Sequence, residues 1–209
     1  MVGGANPLGG ATRVASAANP LGGATRMAGS GSAGKGMEGA LGAGTVFDDR
    51  YSIVTVLGEG GMGMVYQAID TRLNQTVALK TLRSEIARDP EMVKLLSQEV
   101  SLAQRLNHPN LLGIRHLEVK ARTPYVVMEL MDGGDLDELL ASKGGRLGTD
   151  EALRMMHQVL SGLSALHEER IAHLDVKPQN VLLSSKGVAK LADFGISSRL
   201  RDQRGEKLV

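Results

Sequence analysis

The hydrophobic pattern of this 209-residue chain changes period once, near residue 131, and that change restricts it to a fold with two unlike halves. Before that point, Tyr51–Leu57 (YSIVTVL), Met64–Ile69 and Thr76–Leu82 (TVALKTL) alternate in the two-residue period of half-buried strands, and Leu111–Val119 and Tyr125–Leu130 read as two more. One helix interrupts them. Asp89 serves as its N-cap, Pro90 takes its first position and Glu91 sits in its first turn, and it runs to about Leu106, before His108-Pro109. Beyond residue 131 the period is helical. A short helix is predicted over Asp135–Ala141, and a longer one over Asp150–His167 with an apolar stripe at Leu153, Met156, Val159, Leu160 and Leu163. Strands around one helix followed by mostly helix imply an α+β chain of two lobes, over residues 46–131 and 132–209.

Residues 1–45 belong to neither half. They are rich in Gly, Ala, Ser and Thr and repeat nine letters, ANPLGGATR, at Ala5–Arg13 and Ala18–Arg26. Two short copies with few large apolar side chains cannot bury a core, so the segment reads as a flexible leader. Its Gly29-Ser-Gly-Ser-Ala-Gly34-Lys35-Gly36 nearly spells a phosphate-binding P-loop, but Gly36 stands where a magnesium-binding hydroxyl is required and no buried strand precedes it. Apolar residues are 42% of the chain and aromatics only 2%, so the core is built from Leu, Val, Ile, Met and Ala. A net charge of +1 leaves no basic stripe for nucleic acid. With no cysteine, disulfides, thiolate catalysis and Cys-ligated zinc are excluded. No window approaches the roughly 18 apolar residues of a membrane span, and no secretory signal stands at the N-terminus; the expected location is cytoplasmic.

Three features carry chemistry. Gly58-x-Gly60-x-x-Gly63 joins two strands, where glycines let backbone N–H groups approach phosphate oxygens; alone, in a chain with 27 Gly, the pattern fits a plain hairpin turn better. Lys80 lies in an apolar strand on the side of Ala78 and Leu82, and Glu99 lies among Leu95, Leu96, Leu102 and Ala103 at helical spacing. Each taken singly can snorkel from the edge of its face; together they read as a cation and an anion on facing elements, suited to hold phosphates. The third feature is IAHLDVKPQN (Ile171–Asn180) followed by LADFGIS (Leu191–Ser197). Asp175, Lys177, Asn180 and Asp193 offer a proton acceptor, a cation, and the carboxylate and amide oxygens magnesium prefers.

Taken in order, these segments resemble the eukaryotic-type protein kinase family from about residue 48 to 209, and LGEGGMGMVY (Leu57–Tyr66) looks most like its bacterial Ser/Thr members. The resemblance implies a two-lobed kinase fold with a complete first lobe, and transfer of the ATP γ-phosphate to protein Ser/Thr hydroxyls with ATP and magnesium. By the same resemblance, Leu57, Gly58, Glu59, Gly60, Gly61, Met62, Gly63, Met64 and Val65 cover the nucleotide, and Lys80, anchored by Glu99, holds its α- and β-phosphates. Val65, Ala78 and Leu182 sandwich the adenine, the Glu129–Met131 backbone binds its edge, and Met128 guards the back. Asp175 takes the base-like role, Lys177 stands by the γ-phosphate, and Asn180 and Asp193 hold the metal. Lys177-Pro178 is the Ser/Thr form of the loop.

Two departures from the family pattern shape the expectation. The usual His-Arg-Asp reads His173-Leu174-Asp175, and leucine cannot pair with an activation-loop phosphate, so activation is expected not to depend on phosphorylation read at this position. The sequence also stops at Val209 without an APE motif or the later helices, so the second lobe is expected to be incomplete, the 209 residues alone poorly soluble or inactive, and the Asp150–His167 face exposed. The alternative is a catalytically incompetent, pseudokinase-like module that binds nucleotide and regulates a partner.

Overall fold

A computed structural model describes residues 40–60, 63–120 and 123–194; the side chains of Glu85, Ile86 and Glu99 lie outside what it describes, as does the duplicated leader motif. Among the described residues the first half is one antiparallel sheet. Its strands are β1 (Val46–Phe47), β2 (Tyr51–Gly60), β3 (Gly63–Asp70), β4 (Gln75–Leu82), β5 (Ile114–Lys120) and β6 (Thr123–Glu129), in the order β1-β2-β3-β4-β6-β5. A one-turn helix α1 (Ser84–Ala87) and the helix α2 (Pro90–Arg105) are inserted between β4 and β5. Asp89 caps α2 as its sequence requires, its carboxylate accepting from the Glu91 and Met92 amides at 3.0 and 3.3 Å.

The register divides the sheet into two faces. Val65 stands opposite Lys80, which stands opposite Val126, and Ala78 opposite Met128. Directly paired residues share a face, so these side chains belong to one side and join a core with Leu96, Val100 and Ala103 of α2. The other face carries Tyr51, Tyr66, Val77, Leu79, Tyr125 and Val127. Within the expected leader, residues 40–45 run along this second face. The Leu41 amide donates to the Tyr66 hydroxyl at 3.2 Å, and Gly44 and Thr45 exchange backbone bonds with Ile53. At its rim Arg50 grips the buried Asp70 through two nitrogens at 3.1 and 2.7 Å, which holds the Asp70 carboxyl below its usual range.

The second half carries α3 (Leu136–Ser142), α4 (Thr149–Glu168), a 3₁₀ turn at Pro178–Asn180 and a short hairpin, β7 (Val181–Leu183) with β8 (Ala189–Leu191). Asp135 closes a reciprocal capping box with Glu138 at the start of α3. Three features differ from the sequence expectation. The strand predicted from Leu111 begins at Ile114, because residues 110–112 pair with β8 instead: Leu112 N donates to Leu191 O at 2.9 Å and Leu191 N to Asn110 O at 2.8 Å. The hairpin β7–β8 was not predicted, since three-residue strands are too short for their alternation to register. And α4 buries Met155, Val159, Gly162 and Leu166, leaving Leu153, Met156 and Leu160 at 65, 49 and 58% exposure. The expected exposed apolar face is there, but only Val159 of the stripe is fully buried; the packing side is rotated toward β8.

Gly162 explains the closeness of that packing. A Cβ there would lie 2.7 Å from Asn110 O and 3.1 Å from a Leu191 methyl, so α4 can touch the 110–112 segment only where it has no side chain. The architecture is α+β: an antiparallel sheet with α2 against it, followed by a helical half.

Candidate functional site

The Asp193 backbone and the buried lysine define the centre. Lys80 is fully buried on the inner face of the sheet. Burial lowers its pKa from 10.5 to about 8, and the opposing influence is the negative charge of Asp193, itself 3% exposed. The sheet thus presents its one inward cation, among the described residues, to the carboxylate that follows β8. The expected pairing of Lys80 with Glu99 cannot be placed, because the Glu99 side chain lies outside the described residues; its backbone position falls between Leu96 and Ala103, both buried. Leu102, expected on the same side, is exposed.

The loop before β7 folds on itself. Lys177 Nζ donates to Asp175 Oδ2 at 2.8 Å. The Asn180 amide nitrogen donates to the Asp175 carbonyl at 2.8 Å and to the same Oδ2 at 3.0 Å. Those donations leave the amide oxygen of Asn180 as its remaining acceptor. Pro178 at the first position of the 3₁₀ turn favours the bend that brings Asn180 back toward Asp175. Asn180 is buried, and its carbonyl accepts from Ala192 N at 2.9 Å, which ties this loop to the residue preceding Asp193. Asp175, Lys177, Asn180 and Asp193, distant by up to eighteen positions in the chain, are therefore held by one network.

Two neighbours were given no role by the sequence. His173 is 2% exposed, its Nδ1 accepts from Asp175 N at 3.4 Å, and its ring meets Phe194 edge-on with centroids 6.4 Å apart. Burial pushes the His173 pKa down, keeping the ring neutral. Leu174 and Asp193 both occupy the left-handed region, with φ of 62 and 63°. A leucine there is strained and 59% exposed.

The remaining expected residues are the glycine hairpin and the apolar set. Gly60 pairs with Gly63 at the tip of β2–β3, while Gly61 and Met62 lie outside the described residues. Gly63 has φ of 156°, and a Cβ there would collide with Thr81 O at 1.8 Å, so the third glycine is required by the approach of β4. Glu59 reaches Arg83 at 2.8 Å, an exposed pair of small energetic weight. Met64 packs on the outer face of the sheet instead of the inner one. Leu57, Val65, Ala78, Met128, Met131 and Leu182 all belong to the inner core. An isolated bridge between Asp135 and Leu182 brings the start of α3 beside that set, a proximity no local pattern announces.

Comparison with known proteins shows what the chain is similar to. Residues 51–208 match the family model described as "Protein kinase domain". A probable serine/threonine-protein kinase PknB of Lactococcus lactis is 39% identical over 160 residues, covering 76% of this chain and 25% of that protein. The serine/threonine-protein kinase PrkC of Bacillus subtilis is 39% identical over 151 residues, 72% of this chain and 23% of that protein. The crystal structure of the Mycobacterium tuberculosis PknI kinase domain superposes with a TM-score of 0.66 at 30% identity, covering 80% of this chain and 70% of the other. The chain spans about a quarter of the length of the curated relatives it matches.

Proposed function

This chain belongs to the protein kinase family, and we propose on that premise that it supplies the nucleotide-binding and phosphoryl-transfer residues of an ATP-dependent protein Ser/Thr kinase. The observation that carries the proposal is the network joining Asp175, Lys177 and Asn180 to Ala192 and Asp193, facing a buried Lys80. A structural role alone gives no reason to bury a lysine against this loop; a phosphate-binding role does.

Family members generally use ATP and magnesium, and the donor set fits both. Asp193 and Asn180 offer two hard oxygens, and no cluster of three or more His, Cys, Asp or Glu occurs among the described residues. Magnesium is commonly bound through one or two carboxylates with phosphate and water completing the shell, so a two-oxygen protein site is the right size. When bound, magnesium would offset charge on the transferring phosphate. Lys80 would hold the α- and β-phosphates. The backbone of Gly58, Gly60 and Gly63 would approach the phosphates from above. Leu57, Val65, Ala78 and Leu182 would enclose the adenine, with Met128 behind it and the Glu129–Met131 backbone along its edge. Asp175, oriented by Lys177 and Asn180, would accept the proton of the substrate hydroxyl. The chemistry is positioning and electrostatics, with no covalent enzyme intermediate.

Protein substrates follow from the same reading, and the net charge of +1 gives no support to a nucleic-acid role. No helix among the described residues is long and apolar enough to cross a membrane. A need for ATP favours the cytoplasm. The test uses the protein as its gene encodes it, measuring transfer of labelled γ-phosphate to a generic protein substrate together with nucleotide affinity. Asp175→Asn is expected to abolish transfer while affinity is kept. Nucleotide binding with no transfer by the parent protein would refute the reading in favour of a regulatory module.

A further inference from the structure

Glu129 is the last residue of β6. The Gly113 amide donates to Glu129 Oε1 at 2.5 Å, and Lys190 Nζ donates to the same oxygen at 2.6 Å. The backbone repeats the link, with Glu129 N donating to Gly113 O at 3.0 Å. Both partners of the ion pair are largely shielded, at 18% exposure for Lys190 and 29% for Glu129. One carboxylate oxygen therefore joins three segments: the end of the sheet where the chain crosses to the second half, the stretch before β5, and β8.

Its location gives the junction meaning. Lys190 is paired directly with Leu182 across the β7–β8 hairpin, so the two side chains share a face. Leu182 belongs to the apolar set proposed to enclose the adenine, and Asp193 follows Lys190 by three residues. The 110–112 segment that ends at Gly113 is bonded to β8 through Leu112 and Leu191. The contact thus closes a loop of short bonds around one edge of the proposed nucleotide site, from the Glu129–Met131 crossing to the strand that presents Asp193.

We infer that the Glu129–Lys190 pair is a positioning clamp, which sets the spacing between the crossing strand and β8 so that the adenine edge and Asp193 address one nucleotide together. The inference rests on the proposed nucleotide site. Neither side chain touches the substrate in this account; each acts through backbone it holds. A shielded charge pair whose partner is removed leaves an uncompensated charge, so either single loss releases the same junction. The two losses are therefore not additive.

The experiment is calorimetric titration of the protein as its gene encodes it with magnesium and the non-hydrolysable ATP analogue AMP-PNP, alongside hydrogen–deuterium exchange in the absence of nucleotide. Glu129→Gln and Lys190→Met each weaken binding about fivefold, at the low end of measured couplings between sites. The double variant is no weaker than either single one, Lys190→Arg retains most of the affinity, and Lys186→Met, on the neighbouring turn, changes nothing. Exchange speeds up at the Gly113 amide and at residues 128–131 in Lys190→Met. Unchanged exchange and affinity in Lys190→Met, or additive losses in the double variant, would overturn the clamp. A parent chain that binds no AMP-PNP refutes the nucleotide site instead, and exchange at Gly113 still decides whether Lys190 holds the junction.

Discussion

Replacing Gly162 by alanine sets two known effects against each other. In the interior of a helix alanine is favoured over glycine by about 1 kcal/mol, so α4 by itself would gain. The tertiary structure predicts the opposite sign. The added methyl would sit 2.7 Å from Asn110 O and 3.1 Å from the Leu191 side chain. The side chain can rotate; the carbonyl is backbone, and it already accepts from Leu191 N at 2.8 Å. Relieving the clash means sliding α4 away from the 110–112 segment or stretching that bond. Overpacking of this kind costs about 1–3 kcal/mol, and a weakened buried hydrogen bond adds about 1. Against the helix gain, the net is a loss of about 1–3 kcal/mol, or a melting midpoint lower by about 2–12 °C for an ordered region of this size. Urea denaturation of the parent and of Gly162→Ala measures it, and an unchanged slope ties the shift to the native state. A midpoint equal to or above the parent's would refute the reasoning, because it would mean that helix propensity outweighs the contact. Since Leu191 leads directly to Asp193, the same variant is expected to weaken AMP-PNP binding, whereas a pure stability defect would leave affinity unchanged at low temperature.

Other expectations are direct. Burial brings the Lys80 pKa to about 8, below its unfolded value, so the folded chain gives up that proton first: nucleotide affinity falls as pH rises through about 8, while the Lys80 contribution to folding stability improves between about 8 and 10.5. AMP-PNP titrations across that range test it, and Lys80→Met should flatten the dependence while weakening binding throughout. Leu174→Asn relieves a left-handed leucine and is expected to stabilise the chain by about 0.5–1 kcal/mol in urea denaturation, since Asn tolerates that backbone. Leu174→Arg is expected to create a dependence of activity on activation-loop phosphorylation, read as sensitivity to phosphatase that the parent protein lacks. Asp70, held below the usual carboxylate range by Arg50, stabilises the fold above its unfolded pKa and loses that contribution as pH falls through its folded one, so Asp70→Asn should lower stability at neutral pH and reduce its acid dependence.

Much of this molecule was legible from local order. Alternation located β2, β3, β4 and β6, the Asp89-Pro90-Glu91 start located α2, and the spacing of Asp175, Lys177, Asn180 and Asp193 pointed to phosphoryl transfer, because strand period, capping and motif spacing are short-range properties written in neighbouring residues. Tertiary structure alone decided what meets across the chain. It put Asp193 opposite Lys80, turned α4 so that Met155 and Leu166 pack while Leu153 and Leu160 do not, gave residues 110–112 to β8 in place of β5, and joined Glu129 to Lys190. These outcomes depend on how segments up to 113 residues apart meet and on which helix face can approach a carbonyl. Gly162 shows why they escape a linear reading: in the sequence it is one small residue in a helix, and only in the fold does its missing side chain become the point of contact.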